Sequence, residues 1–394
     1  MNTQRRNLTI LLFVLFVVML GYGIIIPIFP FYIESMGAGG MELGLLAASY
    51  AAMRLIFGPI WGGLSDRMGR KPILLVGILG YVITMTWFGL ATQLWMLFAA
   101  RILAGILSSA TAPTTMAYVS DSTPDEERGG GMGLLGAAGG IGTIVGPVMG
   151  GVLAATSLSL PFFLAAGMAL LALILAAIFL PESHPAPERS AGNTKAIVDV
   201  RAWWQALFSP IGTLFALTFI STSGLMIFAN VFGLYGLERF GYGTEEVGIV
   251  MMVLGLSSAL TQGLVAGPVT QRWGDVRVVQ VGLLSTALGF GLLLWADNFA
   301  MVLVTTAFFA VTYSVTNPAL LSLTSRRATV EQGVAMGLSN SFVSLGRIVG
   351  PILGGALLDV NLSLPYLSGA AIMAVGFIMS LIWLTPRRAT ASSR

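Results

Sequence analysis

Apolar stretches of about 20 residues, each closed by a short polar turn, recur along the whole chain. They lie near 8–33, 43–63, 72–91, 95–119, 131–155 and 160–181, then near 209–235, 244–268, 276–296, 298–322, 333–357 and 363–385. A helix rises 1.5 Å per residue, so about 20 residues cross a hydrocarbon core about 30 Å thick. Backbone N–H and C=O groups find no water there, and each run therefore predicts a spanning α-helix. Twelve crossings place both ends of the chain on one side. The first run is longer than the apolar segment of a cleaved signal peptide and has no evident cleavage site, so it reads as the first span.

Composition agrees with this pattern. Of 394 residues, 56% are hydrophobic and 9% are charged, against about a quarter charged in soluble domains. Of the Lys and Arg residues outside the runs, all but Arg239 fall in turns on the side of the termini. The excess of basic residues in cytoplasmic loops then places both termini in the cytoplasm. The chain has no cysteine and one histidine, His184, which excludes thiol chemistry and a histidine-built metal centre. No Gly-x-x-x-x-Gly-Lys-Ser/Thr phosphate loop occurs, so ATP hydrolysis is not expected and the chain does not read as an enzyme.

The two sets of six runs are copies. Gly142-x-x-x-Gly146-Pro147-x-x-Gly150-Gly151 recurs as Gly346-x-x-x-Gly350-Pro351-x-x-Gly354-Gly355, 204 residues later. At the same offset Glu34, Glu42 and Gly44 map to Glu238, Glu246 and Gly248. Parallel repeats of this kind imply two six-helix bundles. The segment between them carries Pro181, Pro185, Pro187 and Gly192 with mixed charge, the composition of a solvated connector. The expected organisation is a first bundle over 1–181, a connector over 182–208 and a second bundle over 209–394. Glycines at these spacings allow close helix contact, and Pro147 and Pro351 interrupt the hydrogen-bond ladder.

A burst of charge between the second and third runs reads Gly62-Gly63-Leu64-Ser65-Asp66-Arg67-Met68-Gly69-Arg70-Lys71. Its spacing resembles the signature between transmembrane helices 2 and 3 of the major facilitator superfamily, and a decayed copy runs from Gly267 to Asp275 with Gln271 in place of Asp66. The resemblance covers the whole chain. It implies an all-α membrane protein of twelve helices in two pseudo-symmetric bundles that works by alternating access. It also implies a latch, in which Asp66 docks on the start of helix 11 when the transporter is open to the outside. Arg67, Arg70 and Arg128 offer charged partners to Asp66 and Asp121. Gly21-Tyr22-Gly23-Ile24-Ile25-Ile26-Pro27 and the glycine segment of the fifth run look like the drug/proton antiporters, the tetracycline and quinolone exporters among them.

Ionisable residues inside spans are costly and mark pathways or relays. Arg101 matches the superfamily's helix 4 motif, whose arginine the resemblance associates with proton handling. Arg54 lies about nine residues, roughly 13 Å, from the charged turn, and Arg347 is likewise deep in the eleventh run. By contrast, every Asp and Glu falls in a turn or at the end of a run. Where the resembling exporters carry embedded acids this chain has Val18, Ala229 and Ser314, which leaves Glu34 and Asp66, beside Arg101, as proton-coupling candidates. Candidate substrate-binding residues are Arg54, Arg347, Tyr22, Phe232, Asn317 and Asn340, a set of cations, aromatics and amides suited to an amphipathic ligand.

The expected function is secondary active, proton-coupled export of small amphipathic compounds at the inner (plasma) membrane. The alternative is a carrier of an organic anion or zwitterion bound by Arg54 and Arg347. The expected partners are the lipid bilayer, a small-molecule substrate and protons, with no nucleic acid, cofactor or metal, and the family habit is a monomer.

Overall fold

A computed structural model describes residues 3–184, 211–328 and 330–384. From Pro185 onward the expected connector lies outside the described residues. Among the described residues, twelve helices are long and apolar enough to span a bilayer: α1 (Thr3–Ser35), α2 (Gly40–Met68), α3 (Arg70–Leu90), α4 (Leu94–Ser122), α5 (Asp125–Ala154), α6 (Leu160–Phe179), α7 (Gly212–Phe240), α8 (Thr244–Trp273), α9 (Asp275–Leu294), α10 (Phe299–Arg327), α11 (Gln332–Leu358) and α12 (Leu364–Trp383). Each predicted run is there. Most helices extend past their apolar run into the polar turns, because helical hydrogen bonding continues wherever the backbone allows it. A 3₁₀ turn at Ser108–Ala110 interrupts α4, and a π turn at Thr261–Val265 interrupts α8.

The chain forms two compact units, which divide some helices part-way along. The first comprises Met1–Val198, Ile227–Leu256 and Arg347–Pro365; the second comprises Asp199–Met226, Ser257–Gly346 and Tyr366–Arg394. Within the first unit, Leu11, Val14, Leu74, Ile78, Tyr118, Leu135, Ala172 and Ala176 form one buried cluster. Large apolar side chains such as Ile178 point outward, as lipid-facing positions do. In the second unit Phe290 packs edge-on against Phe309, with ring centroids 4.9 Å apart.

The glycine segments do the packing work expected of them. A methyl at Gly142 would lie 2.5 Å from the Phe16 carbonyl oxygen, and one at Gly150 would lie 2.8 Å from that of Ile24, so α5 lies directly on the backbone of α1. In the second repeat a methyl at Gly346 would lie 3.0 Å from the Phe219 carbonyl oxygen, and one at Gly354 would meet Val231 at 2.8 Å; α11 thus lies on α7. Gly146, Pro147, Gly350 and Pro351 are buried in the same stripes.

At the end of the helices away from the chain termini, the first unit holds two further close contacts. In one, a methyl at Gly40 would lie 2.6 Å from the Gly355 carbonyl oxygen, and side chains at Gly44 or Gly355 would overlap the backbone of Pro351 or Gly40. In the other, a methyl at Gly248 would lie 2.6 Å from the Pro147 oxygen, and one at Gly151 would overlap the backbone of Thr244. Gly40, Gly44, Pro147 and Gly151 correspond at the 204-residue offset to Thr244, Gly248, Pro351 and Gly355. The α2·α11 and α5·α8 seams are therefore one contact made twice.

The repeat also explains the π turn. Gly44 pairs with Gly248 at an offset of 204, whereas Gly69 pairs with Gly274 at 205, with φ of 102° and 77° respectively. One residue more separates the matched glycines in α8 than in α2, and a π turn is the way a helix absorbs one.

Gly355→Ala is expected to force the α2·α11 seam apart, at a cost of about 1–3 kcal/mol as for other overpacked contacts. Gly337→Ala, on the same helix but with open space around it, is expected to change nothing. The cysteine-free chain permits spin labels at exposed Leu45 and Val360, and the distance between them checks the difference.

Candidate functional site

A cavity of about 450 Å³ opens in the second unit. Its polar lining comes from four helices: Thr218 on α7, Ser258 and Gln262 on α8, Tyr313 and Asn317 on α10, and Ser339 and Asn340 on α11, with Leu225, Leu320, Leu321 and Val343 as apolar walls. Gln262 is there because it sits in the π turn, which rotates α8 locally relative to a regular helix. The side-chain amides of Gln262, Asn317 and Asn340 make no hydrogen bond among the described residues. Each presents a carbonyl acceptor and an NH₂ donor. The lining carries no charge. Asn317 and Asn340, expected as binding residues, are thus brought together, while Gln262 was not anticipated. Its signal lay in the one-residue slip of the repeat.

Arg101 stands elsewhere, in the first unit. It is 6% exposed, and its guanidinium carbon lies 4.4 Å from the Phe29 ring centroid, 5.2 Å from that of Tyr50 and 6.0 Å from that of Phe88. No carboxylate pairs with it among the described residues, and its Nε has no partner. Ring faces supply the negative potential that an acid would otherwise provide; a desolvated cation–π contact contributes about 2 kcal/mol or more. Tyr22 joins this group through Tyr50, with ring centroids 6.2 Å apart. The expected proton-handling arginine is therefore enclosed in an aromatic box with no acid at hand.

Arg54 is half-buried and Arg347 exposed, and neither forms an ion pair or hydrogen bond among the described residues. Arg347 lies one helical turn before Pro351, just beyond the α2·α11 seam. The register that matches Gly40 with Gly355 and Gly44 with Pro351 places Arg347 level with Ala48. Arg54 follows six residues later, about 9 Å along the axis. Phe232 corrects the expectation of a ligand-facing ring: it is fully buried, stacked on Phe228 at 5.7 Å and beside Tyr235 at 6.4 Å. An apolar ring at helical spacing does not by itself distinguish core from cavity.

The charged turn is centred on Arg70. Its Nη1 donates to Asp66 Oδ1 at 2.5 Å and to Ser65 Oγ at 2.7 Å, and its Nε donates to Asp121 Oδ2 at 2.9 Å. Glu182 accepts from the backbone N–H of Arg70 and Lys71 at the start of α3. Of the expected latch, Asp66, Arg70 and Asp121 come together. Arg67 is exposed, and Arg128 instead pairs with Asp125 at 2.6 Å, because three residues of helix separate the two. Glu34 is exposed in the last turn of α1.

The second repeat keeps this bridge with its charges exchanged. Arg70 and Asp121 correspond, 205 residues on, to Asp275 and Arg326, which lie 3.8 Å apart, and Ser322 Oγ donates to Asp275 at 2.9 Å.

Twelve spanning helices, a duplicated six-helix plan and a ligand-sized cavity within the helices define a membrane transporter. The model of the Major Facilitator Superfamily matches residues 11–266 and 214–394, and the chain belongs to that family. It is 33% identical to "Multidrug resistance protein 1" of Bacillus subtilis (strain 168) over the full length of both, and 31% identical to "Multidrug resistance protein 2" of the same organism, over 97% of this chain and 96% of that one. "Quinolone resistance protein NorA" of Staphylococcus aureus is 25% identical over 96% of this chain and 97% of its own. Among solved structures, the nucleoside transporter NupG superposes with a TM-score of 0.79 at 14% identity, covering 98% of each chain. The human organic anion transporter MFSD10 (TETRAN) gives 0.66 at 20%, covering 96% of this chain and 99% of that one. These two establish the fold.

Arg70→Asp is expected to collect acids around Asp121 and lower stability by about 3 kcal/mol, as when a buried pair is broken. Adding Asp121→Arg and Asp66→Gln recreates the arrangement of the second repeat and is expected to recover at least half of that loss in thermal unfolding of the detergent-solubilised protein.

Proposed function

We propose that this transporter exports small amphipathic compounds across the plasma (inner) membrane by alternating access, coupled to protons, with both termini in the cytoplasm. The observation that carries the substrate reading is the cavity of the second unit. Its volume lies within the range of about 300–1,000 Å³ for drug-sized ligand sites. Apolar walls take up the bulk of an amphipathic molecule, and three unpaired carboxamides accept or donate to its polar groups without selecting a charge. Such a surface suits many ligands weakly rather than one ligand tightly. Full-length likeness to two multidrug resistance proteins supports the same reading. The basic turns on the side of the termini support the orientation.

Asn317→Leu and Gln262→Leu are each expected to weaken uncharged, hydrogen-bonding substrates about 2- to 12-fold, the range for one net hydrogen bond of about 0.5–1.5 kcal/mol. Purely apolar substrates should be unaffected. Efflux assays in cells and binding titrations on the purified protein check this, and equal loss for both ligand classes would count against the cavity as the binding site.

A second reading, carriage of an organic anion or zwitterion, is favoured by Arg54 and Arg347, two cations beside one seam with no acid of their own. On that reading Arg54→Gln lowers affinity for an anionic ligand about 10- to 150-fold, the loss of a charge-assisted bond of about 1.5–3 kcal/mol, and spares its cationic analogue. Titrations with a ligand pair matched in all but charge separate the two readings.

A further inference from the structure

The two seams of the first unit share a backbone contact but differ in what fastens it. At the α5·α8 seam, Thr244 Oγ1 donates to the Gly151 carbonyl oxygen at 2.8 Å. At the α2·α11 seam the fastener is a carboxylate. Asp359, immediately after α11, accepts from the backbone N–H of Gly40 through Oδ1 at 2.6 Å and from that of Met41 through Oδ2 at 2.8 Å. The matching position in the first repeat is Ala155, so the charge belongs to one seam alone.

We propose that Asp359 is a proton-operated clasp: as a carboxylate it holds the α2·α11 seam closed, and its protonation from the outer face releases the seam. The first N–H groups of a helix have no intrahelical partner and carry the positive end of its dipole, so an anion placed across them is held by geometry and by charge together. Bonds of this type are about twice as strong as neutral ones. Proton uptake from water forms an O–H bond on one oxygen, which then faces an N–H donor. That N–H···O hydrogen bond breaks, the other loses its charge assistance, and the freed N–H groups turn to water.

The groups able to oppose or supplement this are few. Of the titratable residues on the segments that meet at the seam, 36–48 and 347–365, Asp359 is joined only by Glu42 and Arg347. Glu42 is occupied at 3.0 Å by the Gly39 N–H at the same helix start. Arg347 is twelve residues away along α11, about 18 Å. No cation pairs with Asp359 among the described residues. The clasp supplies the proton-linked step with an acid that the middle of the membrane lacks. It stands whatever the substrate, since the seam contains no part of the amide-lined cavity.

The test uses the full chain in lipid nanodiscs without substrate, spin-labelled through Leu45→Cys and Val360→Cys, with the label distance followed from about pH 8 to about pH 4, a range that spans carboxylate titration. The carboxylate form prevails at the higher pH, so the expected result is a short distance there and a longer one as pH falls. Asp359→Asn is expected to shift the population toward the long distance about tenfold or more at pH 8, the equivalent of about 1.4 kcal/mol, and to flatten the pH profile. Thr244→Val, at the seam without a carboxylate, should leave the profile in place. A wild-type distance that does not respond to pH would overturn the proposal without recourse to any variant. A pH response that persists in Asp359→Asn would overturn it too, assigning the proton to another group.

Discussion

Close approach of backbone to backbone is the constraint on which the rest of this transporter depends. In lipid, apolar side chains gain little by leaving one apolar surface for another, so helix association rests on van der Waals packing and interhelical hydrogen bonds. Gly142, Gly150, Gly346 and Gly354 bring α5 onto α1 and α11 onto α7. Gly40, Gly44, Gly151, Gly248 and Gly355 then bring the products of the two repeats together within the first unit. This second set explains why stretches of α7, α8 and α11 belong to that unit and not to the one that holds the rest of those helices. Contacts made of backbone cannot be loosened gradually by rotating a side chain. They are made or broken as a whole.

The few charges divide by how their desolvation is offset. Arg70 is paired with two acids and a serine; Arg101 is surrounded by rings; Arg54 and Arg347 have no partner among the described residues. The first two solutions close on themselves and stabilise the fold. The third remains open to a ligand or to water. The exchanged bridge makes the same point: Arg70–Asp121 and Asp275–Arg326 satisfy one structural need with opposite polarity, so the need is for a bridge and not for a particular sign.

Much of this was legible in the sequence because it depends on period and spacing. Twelve apolar runs gave twelve helices, and the repeat at an offset of 204 foretold that whatever Gly151 does, Gly355 does also. Orientation of side chains was not legible, since helical spacing does not reveal which face meets a neighbour. Phe232 therefore proved to be core, and Arg128 paired within its own helix instead of with Asp121. Carboxylates do cap the start of a neighbouring helix, at positions to which the motif did not point. Asp66 bonds to Arg70, while Glu182 and Asp359 do the capping. Both lie just beyond the end of a spanning helix, where a pattern search sees only a polar turn.

Where two copies of one plan diverge, the divergence locates what the plan alone does not supply. The extra residue in α8 makes a π turn, and the π turn sets Gln262 against Asn317 and Asn340, so the cavity gains its third amide in one repeat only. Asp359 stands where the other repeat has Ala155, so one of two equivalent seams carries a titratable fastener. A symmetric pair of bundles could close and open at both seams with equal ease and would have no means of tying that motion to a proton or to a ligand. The third amide of the cavity and the carboxylate at one seam both belong to the second repeat, and they set it apart from the first on a common frame.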